Sequence, residues 1–264
     1  PELYASADVF VAPTDNIQET FGLTPIEAMA CGVPQVISNW DGYRDTTADG
    51  ETGFLIPTYW ADCVGDIDRV APFSETAFDH LALASSVVVD MKAMHDAVQQ
   101  LIDDPQRRSQ MATASRQRAL ECFSWRGAIA EYESLWDELV DHAAREPGHP
   151  GSVAAHYGEP TFYGFFAGYH SHAVDDDTSF KLTDRGRALL AGEPLPLHYA
   201  ATWNYLDMEL LQRLVIGFAQ FDKAGKTLDV ATAKKVIAKG DALLGGKCLR
   251  HMMWLQKYGY VVVT

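Results

Sequence analysis

The chain has 264 residues, of which 47% are hydrophobic and 11% aromatic, enough to fill one large core or two ordinary ones and too many for a disordered chain. Its formal charge of -15 is uneven: residues 1–150 hold 9 Lys+Arg against 25 Asp+Glu, and residues 151–264 hold 12 against 11. An acidic first part and a neutral second part make nonspecific phosphate-backbone binding a poor fit, so nucleic acid is an unlikely partner, and the two parts are expected to carry different surfaces.

Cys31, Cys63, Cys122 and Cys248 are scattered without CxxC spacing, which suggests neither a zinc site nor a disulfide framework and fits a reduced, cytoplasmic protein. No run reaches the roughly 18 apolar residues needed to span a bilayer, and no basic-then-apolar signal pattern opens the chain. The first residue is Pro1, and Leu3-Tyr4-Ala5 reads as the inside of a domain, so the sequence is expected to be a fragment.

In chain order, Asp8–Pro13 is a short apolar run stopped by proline, as in a buried parallel strand. A loop with Gly22 follows. A helix is expected from about Pro25 to Cys31, with Thr24 as N-cap, Pro25 at the first helical position, Glu27 closing a capping box, and Gly32 as a left-handed cap. Gln35–Ser38 returns as the next strand and completes a β-loop-α-β unit. Residues 39–53 are turn-rich, and Gly53–Pro57 supplies another strand. Residues 58–90 read as an insertion of uncertain structure, in which Asp62, Asp66 and Asp68 are expected to form a solvated acidic loop, since no Gly and closing Glu stand where an EF-hand needs them. Three helices are expected from Met91 to Arg145, divided at Asp104-Pro105 and at Phe123-Ser124-Trp125, with Ser124 as an N-cap.

Glu146–Ser152 is rich in Pro and Gly at the point where the charge balance changes, and reads as a linker. Beyond it, Phe180–Leu190 gives a strand running into a capped helix. Helical periodicity resumes at Leu206–Phe221, Ala231–Leu244 and Cys248–Tyr258, before the β-run Tyr260–Val263. His156, His170 and His172 lie among aromatics and are expected to pack rather than bind metal. The aromatics of 162–169 with Trp203, Tyr205, Trp254, Tyr258 and Tyr260 are expected to form a second core, and Cys31 to be a buried packing residue.

The informative stretch is Glu19-Thr20-Phe21-Gly22-Leu23-Thr24-Pro25-Ile26-Glu27. A helix start that follows a strand and a glycine loop presents free N–H groups and a positive dipole end, a ready place for a diphosphate. Glu19 would repel phosphate but can accept hydrogen bonds from sugar hydroxyls beside it. The stretch resembles the donor-binding half of retaining glycosyltransferases of family 4, of GT-B architecture, whose motif has an E-x-F-G-x-x-x-x-E core. Leu3–Val11, Ala28–Pro34, Asp49–Ile56 and Phe123-Ser124-Trp125 extend the resemblance over roughly residues 3–140, apart from 58–90.

The resemblance implies an α/β fold: a partial Rossmann-like parallel sheet with helices over residues 1–146, with an insertion at about 58–90 and a linker at 147–152. It gives Glu19 the donor sugar hydroxyls near the reacting carbon and assigns the backbone amides of Phe21, Gly22 and Leu23 to the sugar and diphosphate. Thr24 falls near the phosphates, and Glu27 takes the ribose hydroxyls. Asp45 stands where relatives have a Gly-x-x-Glu, and Arg44 is a candidate for phosphate. The expected donor is a nucleotide sugar, with no cofactor or metal and an acceptor of unknown class. The family's diphosphate-binding Arg and Lys and its N-terminal acceptor domain lie upstream of Pro1, so this chain alone is expected to be inactive, and its uncovered face could drive homodimerisation.

Residues 176–190, ending in Leu-Thr-x-x-Gly and a helix, resemble winged-helix proteins, which makes 153–264 a smaller, mainly α, winged-helix-like domain. Such a domain could pair protomers, contact an acceptor, or make the chain a sugar-nucleotide-sensing regulator that binds DNA. The last option calls for a basic recognition helix, and Lys234, Lys235 and Lys239 form only a modest cluster.

Overall fold

The structure, a computed structural model, describes residues 2–71, 76–145, 161–195, 205–239 and 241–264. The expected linker at 147–152, His156 and Trp203 lie outside the described residues. The fold is mixed α/β with a parallel sheet.

After a short helix α1 (Glu2–Ala5), strand β1 (Phe10–Ala12), helix α2 (Leu23–Ala30), strand β2 (Gln35–Ser38), helix α3 (Tyr43–Thr46) and strand β3 (Gly53–Ile56) follow. The strands form a parallel sheet in the order β1-β2-β3, with Val11 opposite Val36 and Val36 opposite Phe54. All of β2 is buried, as a central parallel strand covered on both faces should be. Its one amide, Gln35, is satisfied at both ends: Nε2 donates to the Pro25 carbonyl and Oε1 accepts from the Thr47 hydroxyl.

Residues 58–90 form β4 (Thr58–Ala61), α4 (Gly65–Val70), α5 (Thr76–Ala84) and β5 (Val88–Val89). Strand β5 pairs antiparallel with β4, Thr58 opposite Val89. Of the three acidic residues here, Asp62 is exposed as expected, whereas Asp66 pairs with Arg250 and Asp68 Oδ1 accepts from the Phe162 amide at 2.7 Å. Val88 faces the larger core and Val89 the smaller one, so β5 joins the two.

The three expected helices follow as α6 (Met91–Asp103), α7 (Pro105–Cys122) and α8 (Trp125–Arg145). Asp90 and Asp104 cap the first two, accepting from Ala93 N and Arg107 N at 2.9 Å, and Ser124 Oγ accepts from Gly127 N at 3.3 Å. The smaller core packs α6 and α7 on the parallel sheet through Val36, Ile56, Met94, Leu101 and Met111. Helix α8 has no buried residue and exposes Trp125, Ile129, Tyr132, Trp136 and Leu139.

The remaining elements are α9 (Phe162–Phe166), β6 (His172–Val174), β7 (Ser179–Leu182), α10 (Asp184–Leu190), α11 (Met208–Lys223), β8 (Leu228–Asp229), α12 (Val230–Ile237), α13 (Ala242–Lys257) and β9 (Val261–Val263). The strand running into a capped helix is present: Thr183 Oγ1 accepts from Gly186 N at 3.1 Å. Strand β6 adds in parallel to β4, giving the order β5-β4-β6, and β8-β7-β9 is a third, antiparallel sheet. The larger core is shared between early and late residues, uniting Trp40, Trp60, Leu83, Phe180, Leu214 and Met252. Trp60 is fully buried and its Nε1 donates to Ser86 Oγ at 2.9 Å.

Helix α13, expected as the closing apolar helix, is buried from Cys248 through Gln256. Of the modest basic cluster on and after α12, Lys234 is tied to Asp176 at 2.6 Å, while Lys235 and Lys239 are exposed. Cys63 and Cys248 are also buried, which pushes their thiols up to about 12 and about 11 and leaves them unreactive. Cys31 is half-buried at the end of α2 rather than enclosed.

His251, on α13, is 1% exposed and fixed as the neutral ring: Nδ1 donates to the Lys247 carbonyl at 2.6 Å, and Nε2 accepts from the Asp207 amide at 2.7 Å. Burial drives its pKa down to about 4, against the bond to Lys247 O, with Arg250 lowering and Asp207 and Asp66 raising it less. The unfolded chain protonates this ring first, so its contribution to stability is whole above the unfolded value of 6.5 and lost as pH falls toward about 4. We expect acidification over that window to cost roughly 2–3 kcal/mol through this residue. Urea denaturation at stepped pH checks it: His251→Gln should flatten the slope, and an unchanged slope would remove His251 as its source.

Candidate functional site

In a parallel sheet the carboxyl ends of the strands share one edge, and the segments that leave them form the rim where ligands bind. Here these segments are 13–22 after β1, 39–42 after β2 and Pro57 after β3. The first opens on Thr14 and Asp15 and tightens into a turn, where Glu19 N donates to Asn16 O at 3.1 Å and Gln18 N to Asn16 Oδ1 at 3.0 Å. Ile17 at its centre is 5% exposed, and Trp40 Nε1 donates to Asn16 O at 3.0 Å. Glu19 is left half-exposed at the rim.

Helix α2 begins two residues earlier than its sequence suggests. Gly22 is the N-cap, with φ +80°, and no side chain caps the helix. Thr24 and Pro25 therefore sit inside the first turn, where the missing N–H of Pro25 costs nothing because first-turn donors have no intrahelical acceptor. The expected capping box does not form. Glu27 is exposed and lies near the Tyr4 hydroxyl, whose pKa is raised first by desolvation and then by Glu27. At the other end the expectation holds: Gly32 has φ +73°, and Val33 N reaches back to Ala28 O at 3.0 Å.

Two glycines fix how closely the rim packs. A Cβ on Gly22 would lie 2.2 Å from Cε1 of Tyr43, and one on Gly42 would lie 2.2 Å from Thr20 O. The segment after β2 thus backs directly onto the motif. Tyr43 is the residue that sequence reasoning missed. It is 2% exposed, its hydroxyl lies 3.0 Å from Thr14 Oγ1, and Glu19 and Thr24 lie close enough to act on it. Burial raises its pKa most, and the Glu19 charge adds to the rise. One phenol therefore ties together both sides of the Gly22 turn.

The sequence-expected residues fall into two groups. Glu19, Phe21, Gly22, Leu23 and Thr24 are brought together on the turn and first helical turn, with Phe21 and Leu23 exposed and the Phe21 ring edge-on to Phe123 at 6.3 Å. Glu27 lies one turn further along α2, on its exposed surface. Arg44 is engaged elsewhere: its Nη2 donates to the carbonyls of Gly168 (2.9 Å), Tyr169 and His170 (3.2 Å). Asp45 is exposed, and its carbonyl and that of Thr46 accept from Arg118 at 2.7 Å. His170 and His172 are packing residues, stacked on Tyr163 and Tyr59 at 5.8 and 5.0 Å.

Residues 1–76 match the family model for glycosyl transferases group 1. Among curated relatives, D-inositol 3-phosphate glycosyltransferase of Mycobacteroides abscessus is 39% identical over 87 residues, covering 31% of this chain and 19% of the relative. The enzyme of the same name from Corynebacterium aurimucosum is 28% identical over 153 residues, 56% of this chain and 28% of the relative. Alpha-maltose-1-phosphate synthase of Mycolicibacterium smegmatis is 31% identical over 124 residues, 47% and 25%. The matched part of this chain thus spans between 19% and 28% of the length of these relatives. A solved structure, sucrose-phosphate synthase from Thermosynechococcus elongatus, is 26% identical with a TM-score of 0.37, covering 53% of this chain and 27% of that one. The three relatives named here are two glycosyltransferases and a synthase by name, and the stretch with the family match contains Glu19, Gly22, Glu27 and Tyr43.

Gly22→Ala should destabilise the protein by about 1–3 kcal/mol, because it meets both a positive φ and the Tyr43 ring. Denaturant midpoints measure this, and a Gly22→Ala midpoint equal to that of wild type would show that the turn is not held as described.

Proposed function

We propose that the turn from Glu19 to Glu27 binds the nucleotide-sugar donor of a retaining, family 4 glycosyltransferase, and that these 264 residues supply the donor side of the reaction. One observation carries the reading: a glycine-capped helix start at the carboxyl edge of a parallel sheet, with one carboxylate before it and a second one turn along it. In this reading Glu19 accepts from the sugar hydroxyls, and the amides of Phe21, Gly22 and Leu23 donate to the sugar and diphosphate at the positive end of α2. Thr24 adds a hydroxyl near the phosphates, and Glu27 accepts from the ribose, for which its exposed position leaves it available.

Transfer breaks the bond from the anomeric carbon to the diphosphate oxygen and forms one from the acceptor oxygen to the same face of that carbon, while the acceptor proton passes to the departing diphosphate. The charge to be stabilised is on the diphosphate and on an oxocarbenium-like sugar. Glu19, held close to Tyr43, sits where it can orient the sugar through its hydroxyls and set its negative charge near the positive ring. Arg44 takes no part in the proposal, because its guanidinium is already bonded to carbonyls.

Calorimetric titration of the chain with UDP, GDP and ADP tests this. One of the three should bind, and Glu27→Ala should weaken it by roughly tenfold, the loss expected for a charged hydrogen bond. Binding of none, or equal binding by the variant, would remove the ribose from Glu27.

A further inference from the structure

The anchoring of the site divides in an unexpected way. Helix α2, which carries Glu27, is held by the first part of the chain: Gln35 bonds the Pro25 carbonyl, and Arg116 Nη1 donates to Ala30 O at 2.7 Å. The turn that carries Glu19 is held by Trp40 and Tyr43 of the first part and, in addition, from the far end of the chain. Ile17 inserts into the larger core, whose side chains come mostly from residues beyond 160. Asp15, four residues before Glu19, is bonded by Lys257, the last residue of α13 and 242 positions away in sequence.

Lys257 has three N–H donors, and its structure gives each an acceptor: Asp15 Oδ2, Ala84 O at 2.7 Å and Val87 O at 3.0 Å. Its side chain is 19% exposed and that of Asp15 30%, so the pair is partly withdrawn from water. The two carbonyls belong to the bend between α5 and β5, so one ammonium ties the Glu19 turn to the sheet β5-β4-β6. Its place at the carboxyl end of α13 suits a cation electrostatically.

We infer that Lys257 is a positioning residue for Glu19, and that the C-terminal part of the chain is thereby a structural component of the donor site. The inference rests on the donor reading given above. It separates the two carboxylates: loosening Lys257 disturbs the one facing the sugar and leaves the one facing the ribose in place.

Lys257→Met keeps the length and apolar stem and removes the charge, and Lys257→Arg restores a cation. Two readouts decide. In hydrogen exchange, the amides of Gln18 and Glu19 should exchange about tenfold faster in Lys257→Met, while those of Gly32 and Val33 at the end of α2 stay unchanged and Lys257→Arg recovers most of the protection. In titration with whichever of UDP, GDP and ADP binds, and with its glucose conjugate, Lys257→Met should weaken the conjugate by about tenfold and the free diphosphate by less than about twofold. Unchanged exchange at Gln18 and Glu19 overturns the anchoring, and equal weakening of both ligands overturns the positioning role in favour of a general structural one. If wild type binds none of the three nucleotides, the donor reading fails and the role of Lys257 toward a sugar fails with it, while faster exchange in Lys257→Met still supports the anchoring of the turn.

Discussion

The site depends on the burial of Ile17 and Trp40 in a core that they do not share with their own sheet. Both residues belong to segments leaving the parallel strands, yet their side chains lie with Trp60, Leu214 and Met252 in the larger core. Trp40 is fully buried, and its indole N–H is spent on the Asn16 carbonyl, so the segment after β2 and the segment after β1 are locked to each other as well as to the core. Burying two such side chains stabilises this arrangement by a few kcal/mol, more than the hydrogen bonds at the surface of the turn contribute. The segment that carries Glu19 is therefore tied to the larger core.

Given that lock, the close contacts at the rim follow. Gly42 must lack a side chain because Thr20 and Phe21 press against it, and Gly22 must lack one because Tyr43 does. Tyr43 can then place one hydroxyl among Thr14, Glu19 and Thr24. The result is a glycine turn between a carboxylate fixed by tertiary packing and a helix fixed by its neighbours α7 and β2. A polar site built this way keeps its geometry without a ligand, which is what preorganised recognition of a charged diphosphate requires.

Much of this was legible in sequence because it is local. The β-loop-α-β unit, the breaks at Asp104 and Ser124 and the Gly32 cap follow from short-range rules about strand burial, N-caps and left-handed glycine, and the structure keeps them. The start of α2 was misread because Thr-Pro-x-Glu has the form of a capping box, whereas the positive φ of Gly22 ends the loop two residues sooner. What sequence could not show is long-range. Residues 58–90 have no periodicity that announces β4 and β5, because these strands are two to four residues long and take their partners from each other and from β6. Nothing near Tyr43 marks it as a neighbour of Glu19, and nothing near Lys257 marks it as a partner of Asp15, since these partners are 24 and 242 residues away. Arg44 stood as a phosphate candidate in sequence for the same reason, its acceptors lying 124 to 126 residues further on.

The most direct test of the account is amide resolution at the Gly22 turn. Backbone NMR of the chain, titrated with UDP, GDP and ADP, should show one of them shifting the amides of Phe21, Gly22 and Leu23 most strongly, as expected if these N–H groups receive the diphosphate at the start of α2. Shifts confined to other surfaces, with these three amides unmoved, would contradict the account and separate the turn from nucleotide binding.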